Sequence, residues 1–352
     1  LKGYLRNDTW QHPGHCKLRA WNICGMNEII YNAHSSGVNL VKSAGNENND
    51  LPPCNVSYPG NRVEALAVGA LVSSSGTFYN DVALNTGSSR GVETTNGVST
   101  SVQISMVDLV APAKLVLVPT VDPGDYSNGI GSVGTSFAAP LVSGGLLLTR
   151  EWMEKLGLSS AKQANSVFAQ MLLMGDGYSE HSSGALDSPN ARLDFDTGAG
   201  RLKLARPDMV QSNGIFNDHI FSWGSFYGLI GHNQTLDINI SGTANSTVPS
   251  SVNGLKVALY YRDKDFRDVP RIDLELVEGC GSASSRTTIA TTLHANVIKA
   301  VLYVKDESLL HNKCVFVRLK GAALDDPRSF ALGFYSWKAS DFNHIDITET
   351  SP

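Results

Sequence analysis

The stretch that most constrains this chain is Gly134-Thr135-Ser136-Phe137-Ala138-Ala139-Pro140, continued by Leu141-Val142-Ser143-Gly144-Gly145-Leu146-Leu147-Leu148. It reads as a loop that becomes a helix at Thr135 or Ser136. Ala138, Ala139, Gly144 and Gly145 are small enough for other backbone to approach closely. Leu141, Val142, Leu146, Leu147 and Leu148 make nearly every face apolar, so the pattern predicts a helix buried through the core. A serine in its first turn sits where backbone N–H groups lack partners and the helix dipole favours negative charge. That position suits a hydroxyl nucleophile and the oxyanion it generates. It also suits an N-cap, the commonest duty of a serine at a helix start.

Residues 28–36 suit a short helix stopped by Gly37, and Val38 to Ala44 reads as a buried parallel strand. Helix, strand and then a polar Gly45-Asn46 form the unit that places ligand groups at the carboxyl edge of an α/β sheet. Val63 to Val72 is the next strand. Residues 73–100, rich in Ser, Thr, Gly and Asn, read as a surface insertion. Strand character returns at Val102 to Val110 and at Lys114 to Val118. After the Ser136 helix, which should stop near Gly157, Ala161 to Met174 reads as an amphipathic helix packing through Val167, Phe168, Met171, Leu172 and Leu173.

The texture changes after Pro207. Leu236 to Ile240, Val257 to Tyr261, Ile272 to Val277, Val297 to Val304, Cys314 to Leu319 and Phe330 to Tyr335 are short strands between turn clusters. They predict an antiparallel β-sandwich of jelly-roll type. The expected fold is therefore α/β, a three-layer parallel-sheet domain over residues 1–210, followed by an all-β sandwich over 215–352.

Several segments resemble one family. Gly-Thr-Ser-Phe-Ala-Ala-Pro at 134–140 resembles the nucleophile segment of the subtilisin-like serine proteases, the subtilases. Ser43-Ala44-Gly45-Asn46 is similar to the strand end that carries their oxyanion-hole asparagine. Tyr58-Pro59 with Val63 to Ala70, Asp108 to Pro112 and Gly198 to Leu202 match further landmarks, in the family's order. The resemblance spans roughly residues 28–207. The sandwich is similar to the β-domain appended to many secreted subtilases.

The resemblance implies a serine endopeptidase with a polypeptide substrate, an extracellular location, Ser136 as nucleophile and Asn46 as oxyanion donor. Ala44, Gly45, Gly134 and Thr135 would bind substrate, and small residues there would admit a large apolar side chain. An Asn46 that merely forms a left-handed turn after Gly45 is the alternative. The acid and base are not recognisable. In subtilases both precede the asparagine, the histidine within a His-Gly motif, yet none of the nine histidines here is followed by Gly. His15 lies too close to Asn46, His34 is expected on the outer face of its helix, and Asp8 and Asp50 have no better claim as the acid.

The reading is then an endopeptidase completed by an N-terminal portion of the same protease. A catalytically inactive pseudoprotease acting as a binding or scaffold module is the alternative, and an unrelated adhesin-like protein a third. Retention of both Ser136 and Asn46 favours the first.

Composition limits the remaining choices. With 28 Lys and Arg against 33 Asp and Glu, the net charge of −5 gives no basic field for nucleic acid. No apolar run is long enough to span a bilayer. Family members often bind calcium, but Asp122, Asp125, Asp176 and Asp273 show no loop with calcium-ligand spacing, so neither cofactor nor metal ligands are assigned. The five cysteines show no zinc spacing. Cys280 and Cys314 are placed to form one disulfide and Cys16 and Cys24 another, leaving Cys54 free or paired elsewhere. Sequons at Asn7, Asn55, Asn233, Asn239 and Asn245 are near the number chance supplies.

Overall fold

The computed structural model describes residues 25–48, 56, 58–60, 62–73, 82–90, 92–95, 102–114, 117–119, 126–128, 133–175, 193–194, 196–204, 220–240, 246–261, 271–291, 299–304, 307–324 and 326–338. Cys16, Cys24, Cys54, Asp8, Asp50, His15, Asp122, Asp125 and Asp176 lie outside them. The chain forms two compact units, one of residues 1–143 with 195–198, the other of 144–194 with 199–352. The division falls inside a helix.

In the first unit, α1 (Met26–Ser35) starts after Gly25 and ends at Gly37, both with positive φ. Ile30 and His34, four residues apart, share its buried face, and Ile29 is exposed. This corrects the outward placement of His34: the helix rolls its i, i+4 pair inward. β1 (Leu40–Ser43) and β6 (Leu109–Pro112) both run parallel to the central β2 (Ala65–Ser73), and β3 (Val82–Leu84) joins β2 antiparallel. All but one residue of β2 are buried, as expected of a parallel strand covered on both faces. β1, by contrast, is only half-buried along its length, because among the described residues it pairs on one side alone.

Two hairpins complete the strands of this unit, β4 (Val92–Thr95) with β5 (Val102–Ser105), and β7 (Leu117–Pro119) with β8 (Tyr126–Asn128). The run expected as one strand from Val102 to Val110 is broken between β5 and β6. Asp108 sits at that break, fully buried, with its carboxylate accepting the Ala67 N–H at 2.7 Å and its own N–H donating to Ala67 O. Gly198 has φ 64°, and any Cβ on it would overlap the Asp108 carbonyl.

α2 (Thr135–Lys155) starts and stops where the sequence placed it, with Gly157 at φ 73° beyond its end. Its burial is one-sided. Ala138, Val142, Leu146, Thr149 and Met153 are buried, whereas Leu141, Leu147 and Leu148 are 44%, 65% and 54% exposed. The all-round apolar pattern therefore overstated what is covered. Gly145 does permit a close approach, since a Cβ there would lie 2.8 Å from Leu202, but Gly144 faces open space.

The second unit holds a short 3-10 turn (Ser159–Lys162), α3 (Ala164–Leu173) and eight strands: β9 (Ile220–Ile230), β10 (Thr235–Asn239), β11 (Val252–Tyr261), β12 (Arg271–Glu278), β13 (Thr287–Thr291), β14 (Lys299–Val304), β15 (Val315–Ala323) and β16 (Arg328–Lys338). They form two antiparallel four-stranded sheets, ordered β10-β15-β12-β13 and β14-β11-β16-β9. β9 and β13 escaped the sequence reading, β9 because Gly224 and Gly228 interrupt its apolar run. α3 is not amphipathic in place: all its residues except Asn165 are buried, because it lies on β16, β11 and β9. Phe168 meets Tyr260 edge-to-face at 5.4 Å, and the Lys256 ammonium, buried in β11, donates to the Leu173 and Gly175 carbonyls at the end of α3. The Cys280–Cys314 disulfide forms as expected, Cα–Cα 5.1 Å. Asp273, considered above as a calcium ligand, is buried in β12, and among the described residues no three acidic, His or Cys groups cluster.

Candidate active site

Ser136 and Asn46 come from elements far apart in sequence, and both belong to the first unit. Asn46 follows the carboxyl end of β1; Ser136 is the second residue of α2. As the second helical residue, Ser136 has a backbone N–H with no i−4 carbonyl to meet. Its side chain is exposed, and Gly134 and Thr135 on either side of the helix start are buried. Among the described residues no histidine or carboxylate hydrogen-bonds to Ser136.

Thr135 joins the two segments. Its N–H donates to Asn46 Oδ1 at 2.9 Å, and its hydroxyl lies 3.1 Å from the same oxygen. The Gly45 N–H donates to the Thr135 hydroxyl at 3.2 Å. A backbone N–H is only a donor, so it fixes which end of the Asn46 amide is the oxygen. The Nδ2 donor is thereby turned to the other side. A Cβ built on Gly134 would lie 3.4 Å from both Asn46 Nδ2 and Asn46 Oδ1 and 3.5 Å from Ser136 Oγ, so the Asn46 amide and the Ser136 hydroxyl border one small space above a residue with no side chain. Asn46 is not in the left-handed region, which is taken by Gly45 (φ 120°) and Asn48 (φ 53°).

The other expected residues fall close by. Gly45 accepts the Ser89 N–H on its carbonyl, and a Cβ on it would meet Ser89 Oγ at 2.8 Å. Ala44 is fully buried, its N–H donating to Val68 O.

Sequence reasoning missed the loop that braces this corner. Residues 73–100 do not form a surface insertion throughout, because Ser88 and Ser89 are fully buried. An Asx-type turn, with the Gly87 N–H on Asn85 Oδ1 at 2.8 Å, leads into them. Ser88 Oγ accepts the Ala70 N–H at 3.0 Å. Ser89 Oγ accepts the Glu47 N–H at 3.1 Å and donates to the Glu47 carboxylate at 2.9 Å. Arg90 donates to Asn48 Oδ1 at 3.2 Å, and its guanidinium is 3.9 Å from Asp196. The usable signal was the Asn-x-Gly turn followed by two small hydroxyl residues, which polarity alone disguised as solvent-facing loop. Lys42, one turn of strand upstream, is partly buried. That burial lowers its pKa, against the pull of the Glu47 charge.

The model of the Subtilase family matches residues 7–184, half of the 352-residue chain. That span begins ahead of residue 28, where the resemblance was expected to start, and ends before the Gly198 landmark. Among solved structures, the chain is similar to Sphericase (24% identity, covering 52% of this chain and 54% of that one, TM-score 0.35). It is similar also to patellamide maturation protease PatA (19%, 57% and 60%, TM-score 0.37) and to tripeptidyl peptidase 2 (13%, 88% and 33%, TM-score 0.28). Such low structural scores add no weight, and the chain spans only 54% and 60% of the first two proteins' own length. No curated protein matches. The ordered landmarks and the family match over residues 7–184 together identify the chain as a member of the subtilase family.

Proposed function

We propose that this chain carries the nucleophile and the oxyanion donors of a serine endopeptidase. The observation that carries the reading is the Thr135 clamp on Asn46, which fixes the oxygen end of the amide, while the amide and the Ser136 hydroxyl both border Gly134. Ser136 Oγ attacks the scissile carbonyl. The negative charge then arising on the carbonyl oxygen is met by Asn46 Nδ2 and the Ser136 backbone N–H, both oriented before reaction. Gly45 and Gly134, with Ala44 and Thr135 behind them, form the substrate-contacting border, where the lack of side chains leaves room for a large apolar group. The general base and its orienting acid come from an N-terminal portion of the same protease, and until they are joined Ser136 stays protonated and unreactive. Secretion belongs to the same proposal, and the Cys280–Cys314 disulfide supports it, since such bonds persist in oxidising compartments.

The test is labelling by a serine-directed phosphonate, with mapping of the modified peptide. The chain alone should neither label nor cleave peptides. Joined to the portion bearing the acid and base, it should cleave, and label at Ser136. Ser136→Ala should abolish both. Asn46→Ala should lower turnover by roughly 10²–10³ with little change in substrate affinity, because the oxyanion exists only in the transition state; that magnitude was itself measured on a member of this family. Label at another residue in the joined, active enzyme sinks the assignment. A joined protein with acid and base in place and no activity establishes the pseudoprotease instead.

A further inference from the structure

One sheet of the second unit ends in a long open strand. β9 pairs with β16 on one side, in unbroken register from Ser222 to Ile230. Among the described residues no strand pairs its other side. That is about 30 Å of strand. Such an edge presents a row of N–H and C=O groups ready to template another strand, and proteins blunt it with charges, prolines, bulges or shortness.

The other three edges of the two sheets are blunted in these ways. β10 carries Asp237, locked to Arg318 and Arg286. β14 begins at Lys299, and β13 is only five residues long with a register break against β12. From Ser222 to Ile230 β9 has none of these devices: its one register break lies at the Ile220 end, and Ile220–Ile230 holds no charged residue and no proline.

Its exposed side chains are apolar on both faces. Phe226 lies on the face of Phe334, with the rings stacked at 5.9 Å, and is 39% exposed. Tyr227 and Leu229 alternate to the opposite face and are 49% and 70% exposed. The 3-10 turn reaches the strand through Ser159 and Ser160, beside Tyr227 and Ser225, and α3 reaches it through Gln170, which donates to the Gly224 carbonyl. Beyond them Leu229 stands uncovered.

We propose that β9 is a homodimer interface, in which the β9 strands of two copies pair antiparallel and join two four-stranded sheets into one of eight. A two-fold axis sets a strand antiparallel to itself, so a charge near its centre comes close to its own copy. β9 has no charge to repel. An ionic peptide partner finds nothing on this strand to pair with, whereas a second β9 offers matching apolar side chains on both faces. The contact is small, so it belongs to the weaker class of interfaces, with a dissociation constant on the order of micromolar.

The experiment is sedimentation of the full chain over a concentration series reaching about a hundred times that constant, with hydrogen exchange on the same samples. The expected mass at the high end is twice 37.7 kDa, with amides of Ile220–Ile230 gaining protection as the dimer forms. Leu229→Lys and Tyr227→Lys each place a charge at an exposed position that pairing would set against apolar side chains of the second strand, and should raise the dissociation constant at least tenfold. The thermal melt of Leu229→Lys at low concentration should match the parent, which separates loss of pairing from loss of fold. Leu148→Lys, at an exposed position on α2, should leave the dimer intact. A chain that stays monomeric throughout overturns the proposal. So does a dimer that survives both β9 substitutions, or one that Leu148→Lys dissolves.

Discussion

Thr135 holds the candidate site together through two bonds to one oxygen, and its worth can be measured one bond at a time. Thr135→Val keeps the N–H bond to Asn46 Oδ1 and deletes the hydroxyl that also receives the Gly45 N–H. The Asn46 amide then loses an anchor. In the joined enzyme turnover should fall by about tenfold, with KM unchanged, while Thr135→Ser restores most of it. Two glycines make a contrasting pair. Gly45 has φ 120° with Ser89 Oγ close to where its Cβ would be, so Gly45→Ala should cost about 1–3 kcal/mol. Gly144 sits inside α2 with nothing near its missing side chain, so Gly144→Ala should gain about 0.5–1 kcal/mol by helix propensity. Urea melts of the two variants read both signs. Equal effects would mean that the strain at Gly45 is absent in solution.

At the scale of elements, strong periodicity and family landmarks located α1, β2, α2, α3 and six of the eight strands of the second unit. What sequence could not supply was which faces are covered. His34 turned inward and Leu147 outward because burial depends on neighbours distant in sequence, not on the helix's own pattern. Ser88 and Ser89 were hidden for a related reason: a buried hydroxyl with backbone partners looks, in sequence, the same as an exposed one. For the site, Ser136 and Asn46 were legible as motifs, but the Thr135 clamp that orients the amide became visible only in three dimensions. The β-strands carry their own ionic lock. Burial pushes the Asp237 carboxyl up, but hydrogen bonds from Arg318 and Arg286, with their charges, outweigh it and hold the group below the usual carboxylate range. Because the folded pKa is depressed, this stabilisation is complete above the ordinary Asp value of about 3.9 and is lost as pH falls through the folded value. Melting temperature should therefore drop below about pH 4 more steeply for the parent than for Asp237→Asn, which starts lower. Parallel pH profiles for the two would show that the pair contributes nothing.

For the whole molecule, compactness and the textural change near Pro207 give different boundaries. The second unit includes α3 and the latter half of α2, and α3 rests on β16, β11 and β9 with the Lys256 ammonium at its end. A fragment of residues 215–352 would keep both sheets but uncover the surface that Phe168 and Gln170 occupy against Tyr260 and Gly224. Residues 158–352 should therefore melt cooperatively and at higher temperature than 215–352, by calorimetry on the two fragments; equal melts would make α3 a bystander. Inheritance is the wider consequence of the Lys256 bond. A β-domain that finishes a helix lying before it in the chain is no longer a cassette that recombination can trade at the 207–215 seam. A viable exchange between relatives has to carry Ala164–Leu173 along, or meet a recipient whose own strand offers a cation at the place of Lys256.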